Sequence, residues 1–269
     1  MKKQLLCTLG PASMNDFVIP RLEEFGVSLF RINLSHTALE DVAANIRFIR
    51  ERSKVPVCLD TEGAQIRTGN FVAAKFPVRE NSMIRIHRRR VPGDSRDINF
   101  YPLDIIEKFQ IGDFISIDFN AVLVQVVKTD DAGITARVLT GGEIGRNKAV
   151  TVEADIAMAP LTDKDKAALE IGVGEGVRDY ALSFANRASD VDEIRSIVGD
   201  ANVISKIECR NGLENLSEIM ALSDAILIDR GDLSREIPLE RIPIVQKQIL
   251  RSAREAGVKA YVATNLLES

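Results

Sequence analysis

The chain has 269 residues, of which 45% are hydrophobic and 28% charged, a composition typical of folded globular proteins and not of disordered ones. Its formal net charge of −4 argues against a nucleic-acid partner, because such partners favour a basic surface. No apolar run approaches the roughly 18 residues that a membrane span requires, and the amino terminus lacks the apolar core of a signal peptide.

The first part of the chain alternates apolar strands with helices. A compact apolar run ends at Gly10-Pro11, and a helix capped by Ser13 or Asn15 follows it. Helical spacing of apolar residues then recurs in 39–52. Strands are predicted at 4–9, 27–33 and 55–59, and helices at 13–25 and 39–52.

Residues 70–155 have a different pattern, which predicts an inserted all-β domain. Apolar and polar residues alternate with a period of two in short runs, separated by turn signals such as Gly112-Asp113. The basic run at 87–90 is interpreted as a solvated strand end. Strands are predicted at 83–88, 114–119, 122–128 and 133–139.

The alternation of strands and helices resumes at Pro160. Thr162 is predicted to cap a helix that carries Asp163 and Asp165 in its first turn, and Ser189 is predicted to cap the next helix. Strands are predicted at 180–184, 203–208, 225–228 and 258–263, and further helices at 212–222 and 239–256. Seven strands that alternate with helices favour a parallel (β/α)₈-type barrel over an open sheet.

The three cysteines are Cys7, Cys58 and Cys209, and their spacing matches no CxxC or Cys/His pattern. Cys7 and Cys58 lie in apolar runs and are interpreted as small buried hydrophobic residues. Cys209 directly follows Glu208, which leaves a reactive role open. This cysteine usage fits a reducing, cytoplasmic setting.

Polar residues follow nearly every predicted parallel strand. In barrels of parallel strands the binding and catalytic residues lie at the carboxyl ends of the strands, so these positions are the first candidates for a site. In chain order they are Arg31, Asn33, Ser35, Asp60, Thr61, Arg67, Ser183, Lys206, Glu208, Asp232 and Thr264. We expect them to converge on an anion or a metal ion.

Two carboxylates of this set, Glu208 and Asp232, have no His or Cys ligand nearby and suit a hard divalent cation such as Mg²⁺ or Mn²⁺. Lys206 and Arg31 would then face a phosphate or a carboxylate. Backbone N–H groups at Gly231 and Asp232 would face an anion if a short helix begins there. The alternative for residues 203–208 alone is a solvated strand face, since buried charges are costly unless paired.

Several motifs occur in order along nearly the whole chain. They are residues 7–13 (CTLGPAS), 31–36 (RINLSH), 59–63 (LDTEG), 66–69 (IRTG), 160–165 (PLTDKD), 183–187 (SFANR), 204–208 (ISKIE), 230–233 (RGDL) and 263–269 (ATNLLES). Together they resemble the successive signatures of the pyruvate kinase family. The β insert corresponds in this resemblance to the family's lid domain, and residues 145–148 (GRNK) to its exit strand.

The resemblance implies a catalytic role for three residues. Lys206 would bind the transferring phosphoryl group and stabilise the enolate, and Arg31 would contact the transferring phosphate. Thr264 would hold the substrate carboxylate, together with the backbone of Gly231 and Asp232. This division agrees with the physics of phosphoryl transfer, which depends on positioning and charge stabilisation.

The resemblance also implies which residues bind cations and the nucleotide. Glu208 and Asp232 would hold the Mg²⁺ or Mn²⁺ that bridges phosphoenolpyruvate. The remaining candidates are Asn33, Ser35, Asp60 and Thr61 for a K⁺ site, and Arg67, His36 and Lys148 for the nucleotide phosphates.

The chain departs from the family pattern at several motifs. Ser234 replaces the usual Gly after the Asp-Leu step, and Asn265-Leu266 replaces the usual Gln-Met. Ala64-Gln65 replaces a Pro-Glu pair whose acidic residue is tied to potassium dependence, so that dependence is not carried over. Residues 151–154 replace a Leu-Pro-Gly turn.

The family's eighth barrel strand and its carboxyl-terminal regulatory domain have no counterpart in the sequence. We therefore expect an α/β fold with a TIM-type barrel, incomplete at its carboxyl-terminal end, at 1–69 and 156–269, and a lid at 70–155. Two unpaired parallel edges are a liability, so the chain is a fragment, a homo-oligomer closes the barrel, or the architecture has diverged.

The predicted function is phosphoryl transfer between phosphoenolpyruvate and a nucleoside diphosphate, with pyruvate and ATP as products when ADP is the acceptor. One alternative is a metal-dependent lyase or aldolase acting on a pyruvate enolate. Another is a non-catalytic regulatory protein that binds phosphoenolpyruvate. Retention of Lys206 and of the insert favours the kinase.

Overall fold

The computed structural model of the protein describes residues 3–118, 121–153 and 156–263. These residues form two compact units. The first unit contains the described residues before Gln65 and after Met158, and the second is Gln65–Met158. The strands, in chain order, are β1 (Leu5–Leu9), β2 (Val27–Asn33), β3 (Val57–Asp60), β4 (Ile66–Thr68), β5 (Lys75–Val78), β6 (Met83–His87), β7 (Asp97–Tyr101), β8 (Phe114–Ile117), β9 (Val122–Asp130), β10 (Gly133–Thr140), β11 (Gly142–Gly145), β12 (Ala149–Val152), β13 (Asp179–Leu182), β14 (Asn202–Ile207), β15 (Ala225–Asp229) and β16 (Lys259–Ala263).

The helices belong mostly to the first unit. The α-helices are α1 (Val18–Glu24), α2 (Val42–Arg50), α3 (Asp163–Gly174), α4 (Ala188–Val198), α5 (Arg210–Glu214), α6 (Leu216–Leu222), α7 (Arg230–Leu233) and α8 (Ile242–Ala256), and the 3₁₀ turns are Leu34–His36, Leu39–Asp41, Leu103–Lys108 and Leu239–Arg241. Across residues 3–118, 121–153 and 156–263, no helix is both long enough and apolar enough to span a bilayer.

The first unit is built on a parallel sheet with the strand order β1-β2-β3-β13-β14-β15-β16. Side chains alternate between the two faces of each strand, so Leu29 and Phe30 of β2 belong to different apolar clusters. One face packs against the helices and the other carries a smaller cluster that includes Cys58 and Ala181. The predicted alternation of parallel strands and helices is confirmed.

Helix α3 shows why its start could be predicted. The Thr162 hydroxyl accepts a hydrogen bond from the Asp165 N–H at 3.0 Å, and the Asp165 carboxylate accepts one from the Thr162 N–H at 3.0 Å. This reciprocal capping box satisfies two of the amides that a helix start leaves without intrahelical partners.

The predicted cap of the next helix was wrong. Helix α4 begins at Ala188, and the carboxylate of Asp190 accepts the N–H groups of Asn186 and Arg187 at 2.8 and 3.1 Å. Ser189 therefore lies inside the helix, because an acidic side chain in the first turn already satisfies the preceding amides.

The second unit is all-β, as the alternation predicted. Seven of its strands close a barrel in the order β10-β6-β7-β4-β12-β8-β9, and β5 pairs with β11 in a separate two-stranded sheet. Its core is a distinct apolar cluster that includes Ile84, Ile98 and Phe100. Strands β4, β5, β7, β11 and β12 were not predicted, because β4 has only three residues, β5 contains Pro77, and the buried positions of β7, β11 and β12 do not alternate.

Candidate functional site

The ammonium of Lys206 lies at the centre of a buried polar cluster at the carboxyl edge of the parallel sheet. Lys206 Nζ is 3.0 Å from Glu208 Oε1 and 3.3 Å from Asp60 Oδ2, and it donates to Ser183 Oγ at 3.0 Å. Lys206 and Glu208 are only 5% and 1% exposed. The alternative of a solvated strand face is therefore wrong, because both charges are buried and paired.

Arg31 contributes a second cation to this cluster. Its Nε lies 3.3 Å from Asp60 Oδ2, so the Asp60 carboxylate contacts both Arg31 and Lys206. The contact follows from strand order, since β2 and β3 are neighbours and Asn33 is in register with Asp60. One carboxylate thus holds two cations side by side, an arrangement suited to an anionic ligand.

The Glu208 carboxylate is fixed by the backbone as well as by Lys206. Its Oε2 accepts the Phe184 N–H at 2.8 Å, and Phe184 has a positive φ of 51°. The Oε1 atom is buried and makes no hydrogen bond within the described structure beyond its ion pair with Lys206. A buried carboxylate oxygen whose lone pairs accept no hydrogen bond is available to bind a metal ion.

Burial and neighbouring charges shift the pKa values of Lys206 and Glu208. For Lys206, burial alone would lower the pKa, but the carboxylates of Asp60 and Glu208 outweigh it and raise the pKa above its ordinary value. For Glu208, burial raises the pKa, assisted by Asp229 and Asp60 and opposed by Lys206. Lys206 is therefore a cation at neutral pH. A further positive charge nearby would stabilise the ionised form of Glu208.

Glu208 also belongs to a group of three carboxylates. One oxygen each of Glu208, Asp229 and Asp232 lies within 4.8 Å of the other two. An octahedral Mg²⁺ with bonds of about 2.1 Å places its ligands roughly 3 to 4.2 Å apart, so small side-chain movements would let all three bind one ion. The all-oxygen donor set fits Mg²⁺ or Mn²⁺ and offers no soft ligand.

Asp229 is a candidate ligand that the sequence prediction missed. It is the last residue of β15, and its position at the end of the apolar run 225–228 could have identified it by the strand-end rule. Its Oδ1 also accepts the Gly231 N–H at 3.2 Å. One of the two backbone donors predicted to face an anion therefore already has a carboxylate partner.

The four residues predicted for K⁺ binding lie at the ends of β2 and β3 and are engaged with their neighbours. Asn33 Oδ1 accepts the Ser35 N–H at 3.0 Å, and Thr61 Oγ1 accepts the Ser183 N–H at 2.9 Å. Asp60 is held by the cations described above. Among the contacts of the described residues, Asp60 is the member of this set that reaches Lys206 directly.

The residues predicted to bind the nucleotide fall in both units. His36 is an exposed residue at the end of the 3₁₀ turn Leu34–His36 of the first unit. In the second unit Arg67 Nη1 donates to the Asn147 carbonyl at 2.9 Å, and Lys148 Nζ is 3.1 Å from Asp118 Oδ2. Thr264, predicted to hold the substrate carboxylate, lies outside the described residues.

Cys209 lacks the environment of a reactive thiol. Its Sγ donates to Asn186 Oδ1 at 2.8 Å, and burial raises its pKa to about 12. A nucleophilic cysteine needs a lowered pKa. Cys209 lies at the start of the short helix α5, whose backbone N–H groups favour the thiolate, but burial outweighs them and raises the pKa. The reactive role left open by the sequence is therefore wrong at neutral pH.

Comparison with known proteins places this chain in a family. The family model described as "Pyruvate kinase, barrel domain" matches residues 1–269. The pyruvate kinase of Thermotoga maritima is 33% identical over 99% of this chain and 59% of its own length. The pyruvate kinases of Thermoplasma acidophilum and Staphylococcus aureus are 33% and 31% identical to this chain over its whole length. The chain covers 49% and 48% of the lengths of these two relatives.

The chain thus spans about half the length of the curated relatives it matches. The resemblance drawn from the motifs is confirmed over its full extent, and the match includes the residues of the buried cluster. The chain belongs to the pyruvate kinase family.

Proposed function

We propose that this chain carries the phosphoryl-transfer site of a pyruvate-kinase-like enzyme that acts on phosphoenolpyruvate and a nucleoside diphosphate. The observation that carries the proposal is the buried Lys206 ammonium, which pairs with Asp60 and with Glu208; Glu208 in turn forms a group of three carboxylates with Asp229 and Asp232. A fixed cation beside a divalent-ion site is what a transferring phosphoryl group needs.

In this proposal Lys206 and Arg31 bind the phosphoryl oxygens, and Asp60 keeps the two cations close enough to act on one group. Lys206 then remains beside the enolate oxygen as charge develops there. Glu208, Asp229 and Asp232 hold the Mg²⁺ or Mn²⁺, which supplies charge neutralisation when bound. Asn33, Ser35, Asp60 and Thr61 would hold a K⁺ ion, although Gln65 stands where the family has the acidic residue tied to potassium dependence.

The remaining residue roles are proposed from the family. Thr264 and the backbone at Gly231 and Asp232 would hold the substrate carboxylate. Arg67, His36 and Lys148 would contact the nucleotide, and the second unit would act as the lid. The three cysteines are free, which supports the proposed cytoplasmic setting.

We further propose that the seven parallel strands are the first seven of an eight-stranded barrel. The Tyr261 hydroxyl of β16 donates a hydrogen bond of 2.9 Å to Oε1 of Gln4, the residue before β1. The two edge strands of the sheet, β1 and β16, therefore approach each other. A further strand or a second copy of the chain would pair with these ends. Light scattering of the purified chain would distinguish a monomer from an oligomer.

The test is a coupled assay for pyruvate formation from phosphoenolpyruvate and ADP with Mg²⁺, run on the parent and on Lys206→Met. Loss of one charge-stabilising group should lower kcat by roughly 10²- to 10³-fold. Lys247→Met, an exposed lysine of α8, is the matched control and should retain parent activity. Turnover that survives in Lys206→Met would contradict the role of Lys206. Phosphoenolpyruvate binding without turnover in the parent would contradict the kinase and support a binding protein.

A further inference from the structure

Arg235, just after α7, contacts the proposed metal site although no motif pointed to it. Its Nη2 donates to Asp232 Oδ1 in an ion pair. The guanidinium carbon also lies 5.4 Å from the centre of the Phe184 ring, and the backbone N–H of the same Phe184 holds Glu208. Arg235 is therefore held by two residues that adjoin the carboxylate group.

The low exposure of the Arg235 side chain strengthens its contact with Asp232. The side chain of Arg235 is 9% exposed and that of Asp232 is 27% exposed. An exposed guanidinium can exchange the carboxylate for water at little cost. A buried guanidinium has little access to water and therefore depends on the carboxylate for its stabilisation. The stack on Phe184 adds a cation–π contact that favours the same position.

The charges of the site are then arranged in two pairs. Within the three-carboxylate group, Lys206 pairs with Glu208 and Arg235 pairs with Asp232. A divalent ion that binds Asp232 would lie within a few ångströms of the guanidinium. Two like charges at that distance repel, so the ion and Arg235 compete for the same carboxylate.

We propose that Arg235 is the resident counter-ion of Asp232 and that a divalent ion binds by displacing the guanidinium from this carboxylate. The displaced arginine is then available to the phosphate or carboxylate of an anionic substrate, which it can contact as a bidentate donor. Arg235 weakens metal binding in the absence of substrate and makes metal and anion binding mutually favourable. The inference rests on the divalent-ion site of the proposed function.

The test measures Mn²⁺ binding directly, by the electron paramagnetic resonance signal of free Mn²⁺, on the 269-residue chain with and without phosphoenolpyruvate. Arg235→Met should bind Mn²⁺ about tenfold more tightly than the parent when substrate is absent. Phosphoenolpyruvate should then enhance Mn²⁺ affinity less in the variant than in the parent. Arg251→Met is the matched control, because Arg251 is an exposed arginine paired with Glu255 four residues on, and it should bind as the parent does.

The Asp232→Asn variant distinguishes failure of the Arg235 inference from failure of the proposed metal site. Suppose that the parent binds Mn²⁺ and that Asp232→Asn loses this binding. If Arg235→Met then binds Mn²⁺ as the parent does, or more weakly, the inference is overturned and the proposed metal site stands. If the parent binds no Mn²⁺ under either condition, both are overturned. If Arg235→Met does not fold, Arg235→Lys replaces it, and a tightening of about two- to threefold supports the inference while parent affinity contradicts it.

Discussion

Lys206 Nζ lies 3.0 Å from Glu208 Oε1 inside the protein, and both side chains are almost completely buried. The two residues are two positions apart at the end of β14, so they fall on the same side of the strand. Asp60, from β3, lies 3.3 Å from the same ammonium. Two buried carboxylates therefore share one lysine, and Asp60 has Arg31 as a second cation.

Lys206→Met should destabilise the fold as well as remove activity. The variant leaves Glu208 and Asp60 buried with one cation fewer, a change that costs about 3–5 kcal/mol when a buried ion pair is broken. The free energy of unfolding from urea titration at pH 7 measures the loss, and Lys247→Met should stay within about 0.5 kcal/mol of the parent. An unchanged midpoint in Lys206→Met would contradict the buried pairing.

Asp165→Ala should be destabilising although Asp165 is not in the candidate site. Its buried carboxylate accepts the N–H groups of Glu62, Gly63 and Thr162 at 2.7, 3.1 and 3.0 Å. Its removal leaves three backbone N–H groups without their hydrogen-bond acceptor, and we expect a loss of about 3 kcal/mol or more in the free energy of unfolding.

The matched control for that variant is Asp163→Ala. Asp163 is an exposed acid in the same first turn of α3, and its removal should cost only about 0.5 kcal/mol through the helix dipole. Equal losses for Asp163 and Asp165, measured by thermal or urea unfolding, would show that the three amide contacts do not stabilise the loop.

The sequence predicted those parts of the molecule that depend on local pattern. Strand β2 was placed at its observed limits, Val27–Asn33, and the capping box of α3 was anticipated from Thr162 and its acidic first turn. Lys206 and Glu208 were placed together because strand periodicity alone puts them on one face.

What could not be predicted depends on contacts between distant residues. Lys206 and Asp60 are 146 residues apart in the sequence, and nothing in either motif says that their side chains touch. The pair of Asp232 and Arg235 was missed because Arg235 belongs to no motif, although a helical turn at Asp232 brings residues three apart together. The short strands of the second unit are defined by their partners more than by their own residues.

Gly63→Ala should destabilise the loop beside the cluster. Gly63 has a φ of +75°, and an added Cβ would lie 2.6 Å from the Ser183 carbonyl oxygen and 2.7 Å from its Cβ. Positive φ and close contact with backbone together cost about 1–3 kcal/mol for a residue with a side chain. Because Ser183 Oγ contacts Lys206, the variant should also lower pyruvate formation in the coupled assay.

Gly174→Ala gives the opposite expectation and serves as the control. Gly174 ends α3 and its φ is not positive. Outside its own helical turn, no atom of the described residues would lie within 4 Å of an added Cβ. Alanine there should be neutral or stabilising by up to about 1 kcal/mol, through the lower entropy of the unfolded chain. A Gly63→Ala protein that unfolds at the same temperature as Gly174→Ala would contradict the steric argument.

Cys209 should resist alkylation in the folded protein. With a pKa of about 12, roughly one molecule in ten thousand carries the thiolate at pH 8, and raising the pH by one unit increases that fraction only tenfold. Cys7 is half-buried, and burial also raises its pKa, but its side chain is more accessible than that of Cys209. Peptide mass spectrometry after iodoacetamide treatment at pH 8 should find Cys7 modified first and Cys209 modified only after unfolding. Modification of native Cys209 at the rate of Cys7 would show that its thiol is neither buried nor held by Asn186.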